Sequence, residues 1–390
     1  DYPDFEHLPE EVKFGYATAT DISTSDHNWQ FTGKGTEQSQ PMMVPRGKVT
    51  GGSSAINGQV FLRGVPEDYD AWASLGNDQW SFQNLLQYFR RIESDTDFGG
   101  GDFHNSDGPI IVRRFKPDEW RPDQKAFYDA CRAAGFADSP DHNMPDASGV
   151  GPSPVNNPNG IRWSTALGYL DMARHRLNLS IRPNSTVHRI IFQGNRATGV
   201  EVESGGERFT VEGEEIILSA GAIGSPQTLM LSGVGPADQL RQFGIPMVKD
   251  LPGVGQNLRD HPIIYVTFKT YEGFAMDGHA PRMQMAARYT AEGSDLRNDI
   301  QLLMQSFATE RVDRGGDRMN PIGVRVLVIL NLAMSAGELR LTSADPTGQP
   351  SLDYRYLEDE FDRKRLRDAI RLSARLAEHP AFKDIIQERT

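Results

Sequence analysis

The sequence predicts a mixed α/β protein with helices and strands in separate blocks. Three observations predict it. Short β-prone runs separated by glycine turns crowd the stretch from Leu179 to Ser219. Amphipathic helical patterns precede that block, and longer β-prone runs with one closing helix follow it. At 390 residues, 38% of them apolar, the chain suits about two domains, each able to bury a core.

Residues 1–45 are polar and turn-rich, with no period. "EDYDAWASLG" and Ser81–Ser94 read as helices. In the second, Phe82, Leu85, Leu86 and Phe89 fall at i, i+3, i+4 and i+7, and Ser81 is its N-cap. The glycine-rich stretch from Asp97 is a loop. Pro122–Phe136 is a helix stopped by Gly135, and Gly149–Gly160 is a connection. Strands are expected at Leu179–Arg182, Thr186–Gln193, Ala197–Ser204, Glu207–Glu212 and Glu215–Ser219. A helix follows at Ser225–Leu231. Beyond Pro262 come "IIYVTFKTY", "DIQLLMQSF" and "GVRVLVILNL" as strands, then a helix over Glu358–Ala377.

The net charge of −12 argues against a nucleic-acid partner, which needs a cationic face. The one cysteine, Cys131, excludes an intramolecular disulfide and any CxxC metal site. It favours a reducing compartment, read as the cytoplasm. No run approaches the length of a membrane helix, so no membrane span is expected. No HxxxH pattern or carboxylate cluster in the sequence suggests a metal.

The chemistry-bearing stretch is "PRGKVTGGSSAINGQVFLRG", Pro45 to Gly64. Small residues at Gly51, Gly52, Ser53 and Ser54 let backbone N–H groups approach a ligand with no Cβ in the way. Such concavities bind anions, and Arg46 and Lys48 add positive charge. A phosphate-bearing or otherwise polar cofactor is one reading; a tight turn between packed elements is the other.

Here Gly47, Lys48, Gly51, Gly52, Ser53, Ser54, Ile56, Asn57, Phe61, Gly64 and Asp70 stand in one register. That stretch resembles the first signature of the glucose–methanol–choline (GMC) family of flavoprotein oxidoreductases, with Thr50 departing from the usual aliphatic residue. "GAIGSPQTLMLSGVG", Gly221 to Gly235, resembles the second signature, with Thr228 as its departure. "LPGVGQNLRDHP" and "GELRLTSADP" are further family phrases. "FLRGVPEDYDAW" and "GIRWSTALGYLDMA" resemble choline-dehydrogenase-like bacterial members.

The resemblance implies a discontinuous FAD-binding domain and a substrate domain with an antiparallel sheet and flanking helices. Residues 1–115 would form the first part of the FAD domain with the flavin-contacting loop and lid. Residues 116–160 would be a substrate-domain segment, 161–262 the second FAD part, and 263–390 the substrate domain. Arg46, Gly51, Gly52, Ser53, Asn57 and Gly58 would lie on the flavin side. Val187, Ala220 and Gly221 would lie beside the adenosine. Covalent members attach the flavin through a histidine just before the signature asparagine. Here that position is Ile56, so the FAD is expected to be noncovalent.

The implied reaction is oxidation of a small-molecule alcohol to an aldehyde or ketone by hydride transfer to flavin N5, with a histidine as base. The electron acceptor is left open. A lyase or photodecarboxylase on the same fold, or a non-catalytic form unable to hold FAD, are the rival readings. The family opens with GxGxxG and carries its base in a His-Pro-x-Gly-Thr-like phrase near its C-terminus. Neither occurs in this sequence. The expectation is therefore that the chain begins downstream of the fingerprint and that the catalytic histidine lies beyond Thr390. His261, in "RDHP", is expected to organise the entry to the substrate domain, and His379 to cap a helix C-terminus. Substrate choice is assigned to the sheet face and to the loops Asp97–Asp107 and Glu310–Asn320.

Overall fold

A computed structural model describes every residue except 16–21, 23–24, 272–273, 275–279, 307–310, 313–317 and 320–322. His279 and most of the Glu310–Asn320 loop therefore lie outside the described residues.

Two helices, α1 (Pro66–Ser74) and α2 (Phe82–Ile92), form the first helical unit. The Asp68 carboxylate accepts from the Val65 N–H at 2.9 Å and fixes the start of α1. Ser81 caps α2 by accepting from the Asn84 N–H at 3.3 Å. Helix α3 (Pro122–Ala133) ends before Gly135, whose φ of +94° a side chain would strain.

Six strands then build one antiparallel sheet. They are β1 (Gly149–Pro152), β5 (Ile263–Thr270), β6 (Met285–Tyr289), β7 (Ile300–Ser306), β8 (Gly323–Leu330) and β9 (Ile386–Arg389), in the order β9-β5-β8-β7-β6-β1. Between the first two in sequence lie the three-stranded meander β2 (Ser185–Gln193), β3 (Arg196–Ser204) and β4 (Glu207–Glu212), and helix α4 (Gly221–Leu231). Helix α5 (Glu360–Leu376), capped by Asp359, precedes the last strand.

Strand alternation divides the six-stranded sheet into two faces. Val266, Phe268, Leu302, Met304, Val326 and Val328 pack with Phe127 and Cys131 of α3 and Leu366 and Ala369 of α5 in the main core. A second core gathers Met230 of α4 with Val44, Leu240, Leu339 and Leu352. The opposite face of the sheet carries Ala286, Leu303, Leu327 and Ile329, with Met283 against them. All four are buried, and no residue of α3 or α5 packs with them.

Two expected strands are absent. Leu179–Arg182 and Glu215–Ser219 run without a ladder partner among the described residues. Their composition is β-prone, yet a strand exists only where a neighbour satisfies its N–H and C=O groups. Ile217 is accordingly 81% exposed. The helix expected at Ser225 begins four residues earlier, at Gly221. His379 also differs from expectation: its Nδ1 accepts from the Ala381 N–H at 3.2 Å, so it caps the start of the following short turn, not the end of α5. No helix among the described residues is long and apolar enough to cross a membrane.

Candidate flavin site

The Pro45–Gly64 stretch folds into a tight double turn around a short 3-10 helix at Gly52–Ala55. Gly51 and Gly52 hold φ of +96° and +56°, the left-handed region that favours glycine. Gly47 is small for a different reason. A Cβ there would sit 2.2 Å from the Gly52 carbonyl oxygen, so its bareness lets the loop close on itself. The Gly47 N–H donates to Ser53 Oγ at 3.1 Å, and the Gly52 N–H to the Val49 carbonyl at 2.8 Å.

The loop rests on a second segment. Ser54 Oγ donates to the Gly51 carbonyl at 2.6 Å and lies 3.0 Å from Thr165 Oγ1, while the Thr165 N–H donates back to Ser54 Oγ at 3.0 Å. Ala166 Cβ lies 3.2 Å from where a Gly51 Cβ would be. The outer side of the loop is open. Nothing lies within 4 Å of a Cβ built on Gly52, and only Met283 Cε, at 3.6 Å, approaches one on Gly58. Met283 packs against the buried cluster on the second sheet face, so the loop lies beside that face.

That face is ordered by its pairing. Tyr265, Leu327, Leu303 and Ala286 form one row across four strands, and Thr267, Arg325 and Gln305 the next. Arg325 Nε donates to Gln305 Oε1 at 2.5 Å, and its guanidinium lies 4.1 Å from the Tyr265 ring centre. The result is an apolar surface with a polar edge.

Arg46 donates to the Pro45 carbonyl at 2.7 Å and meets Asp260 at 3.4 Å. Behind this pair, burial pushes the Tyr354 hydroxyl up to about 12, the nearby Arg46 charge opposing the rise. His261 is exposed on a cavity of about 530 Å³, shared with Tyr69, Trp72, Asp260 and Arg297.

Of the residues singled out from sequence, Arg46, Gly51, Gly52, Ser53, Asn57 and Gly58 share this loop. Val187 sits on β2 opposite Val202, 42% exposed. Ala220 and Gly221 form the exposed start of α4, where Gly221 has φ of +80° and open space around it. Open glycine backbone at Gly52, Gly58 and Gly221 fits a ligand that approaches the main chain closely.

Sequence reasoning passed over two features. The first is Arg162, only 4% exposed, which grips the loop from beneath. Its spacing within "GIRWST" gives no sign of that role; only tertiary structure brings it under residues 55–57. The second is a carboxylate cluster with no sequence signature: Glu93, Asp95 and His104 converge from a hairpin-like excursion. His104 Nδ1 faces Glu93 at 2.8 Å and Asp95 at 3.2 Å, and Nε2 faces Asp141 at 2.8 Å. Burial opposes its charge, but hydrogen bonds to Asp141, Asp95 and Glu93 raise its pKa to about 10. With both ring nitrogens protonated it has no lone pair for a metal. Arg63 meets Glu93 at 2.6 Å, and Arg114 bridges Asp95 at 2.8 Å and Asp141 at 2.6 Å, so three cations balance three buried carboxylates.

Family models described as GMC oxidoreductase match residues 17–263 and 333–389. An oxygen-dependent choline dehydrogenase of Photobacterium profundum is 33% identical over 96% of this chain and 70% of its own length. An uncharacterized GMC-type oxidoreductase of Rhodococcus erythropolis is 34% identical, over 93% and 70%. Among solved structures, pyridoxine 4-oxidase from Mesorbium loti superposes with a TM-score of 0.88 at 24% identity, covering 98% of this chain and 76% of that one. A formate oxidase does so with 0.86 at 22%, over 99% and 77%.

Proposed function

Because the chain belongs to the GMC oxidoreductase family, we propose that it oxidises the CH–OH group of a small alcohol with noncovalent FAD. One observation carries this reading: the open backbone at Gly52 and Gly58 lies beside the second face of the six-stranded sheet, with Met283 between them. When bound, FAD supplies the acceptor for the substrate hydride.

In this reading Arg46, Gly51, Gly52, Ser53, Asn57 and Gly58 hold the flavin half of the cofactor. Val187, Ala220 and Gly221 hold the adenosine half. Residues 1–115 and 161–262 form the cofactor domain; 116–160 and 263–390 form the substrate domain. The apolar row on the sheet excludes water from the reacting carbon, and the Arg325–Gln305–Tyr265 edge orients a polar substituent. The family's base is a histidine in a His-Pro-x-Gly-Thr-like phrase, and a histidine of that kind would take the hydroxyl proton of the substrate. Neither nucleic acid nor a membrane span has a part in it.

The test is anaerobic mixing of the FAD-loaded gene product with a panel of primary and secondary alcohols. Bleaching of the visible flavin band by at least one alcohol supports the reading. A flavin reduced only under light, or cleavage of a cyanohydrin without reduction, would replace it by a photodecarboxylase or a lyase. Ile56 offers no nucleophilic atom, so acid precipitation should release all the flavin. Yellow fluorescence retained on the denatured protein would refute the noncovalent assignment.

A further inference from the structure

Arg162 reaches two separate stretches of backbone at once, residues 11–13 and 55–57. Its Nε donates to the Asn57 carbonyl at 3.0 Å. Its Nη1 faces the carbonyls of Glu11 at 2.9 Å, Val12 at 2.7 Å and Ala55 at 3.0 Å. Its own N–H donates to the Lys13 carbonyl at 2.8 Å. A buried guanidinium thus holds the glycine loop from its inner side.

The consequence follows from peptide geometry. The Asn57 carbonyl and the Gly58 N–H belong to one planar trans peptide, in which C=O and N–H point in opposite directions. Drawing that oxygen inward to Arg162 turns the Gly58 N–H outward. Gly58 is exposed, and its N–H has no acceptor among the described residues. The same carbonyl grip leaves a fixed positive charge beneath the loop, favouring electron-rich atoms above it.

We propose that Arg162 is a positioning residue that aims the Gly58 N–H at an acceptor atom of the flavin ring. The proposal rests on the loop being the flavin cradle. It assigns to Arg162 a role in cofactor affinity that contact with the cofactor does not explain. Lysine would keep the charge but could not place donors at Asn57 and at Glu11, Val12 and Ala55 together.

The experiment uses the complete gene product and two variants, R162K and Gly58→Pro. Proline deletes the N–H and leaves Arg162 untouched. FAD affinity, read by fluorescence titration of the apoprotein, should fall at least about tenfold in R162K and Gly58→Pro, the scale of one charge-assisted bond. Amide hydrogen exchange over residues 55–59, measured without FAD, should accelerate in R162K. A merely structural role would lower the melting temperature but leave affinity unchanged. If the wild type binds FAD and R162K and Gly58→Pro bind it as tightly, or if exchange over 55–59 is unaltered in R162K, the proposal is wrong while the flavin reading stands. A wild type that takes up no FAD overturns the flavin reading and the proposal together.

Discussion

His104 donates from both ring nitrogens, so it can lose its proton only by giving up a bond to a carboxylate. Its pKa of about 10 in the fold, against an ordinary 6.5, fixes the sign of its contribution. The stabilisation is complete below 6.5 and is lost as pH rises toward about 10. Denaturant titrations across that window should show stability falling with pH, and His104→Gln should flatten the slope. Asp95 and Asp141 act on the other side. Burial opposes their charge, but His104 and Arg114 hold both carboxyls below the ordinary 3.8, so their stabilisation is present above that value and lost in acid. Asp123 behaves in the opposite sense to these two. Burial pushes its carboxyl from 3.8 up to about 6, and Oδ1 has no partner among the described residues. Ionising it well above pH 6 costs about 3 kcal/mol. Asp123→Asn should therefore raise the melting temperature at alkaline pH and leave it unchanged below pH 3.8, a difference scanning fluorimetry would read.

Helix α5 is tied to the sheet by Arg365, fully buried between Asp299 at 2.8 Å and Asp362 at 2.7 Å. Asp362 also accepts from the N–H groups of Met334 and Ser335, both at 2.8 Å. Replacing the arginine by methionine leaves two carboxylates with no counter-charge, and should cost about 3–5 kcal/mol in urea denaturation. An unchanged midpoint would show that the pair adds nothing to holding α5. Elements such as α5 were legible because local chemistry announces them: an apolar stripe, and Asp359 as cap. The strands β2, β3 and β4 were legible through their glycine turns. Glu215–Ser219 was misread because β-propensity describes a side chain's fit to a pleated surface, not the presence of a neighbouring strand. The tight turn at Gly51 and Gly52 was legible through its glycines, whereas Arg162 and the His104 cluster were not. The carbonyls that Arg162 holds lie 105 to 151 residues away, and His104 meets carboxylates 11 and 37 residues away, so no helix or strand period encodes either closure.

The two main cores share no residue. One joins α3 and α5 to the six-stranded sheet, and the other joins α4 to the segments around Val44 and Leu339. Cooperativity follows contiguous burial, so differential scanning calorimetry should resolve more than one transition. A single peak whose calorimetric and van't Hoff enthalpies agree would show that the Arg46–Asp260 and Arg162 contacts couple the cores into one unit. The sheet carries a further consequence for how such a protein diversifies. Even-numbered positions of β5, β7 and β8 answer to the main core, and odd-numbered ones such as Tyr265, Leu303, Leu327 and Arg325 answer to the other face. The two faces therefore draw on interleaved but different letters of the same strands. A lineage can rewrite one face while the residues that pack the other stay as they are.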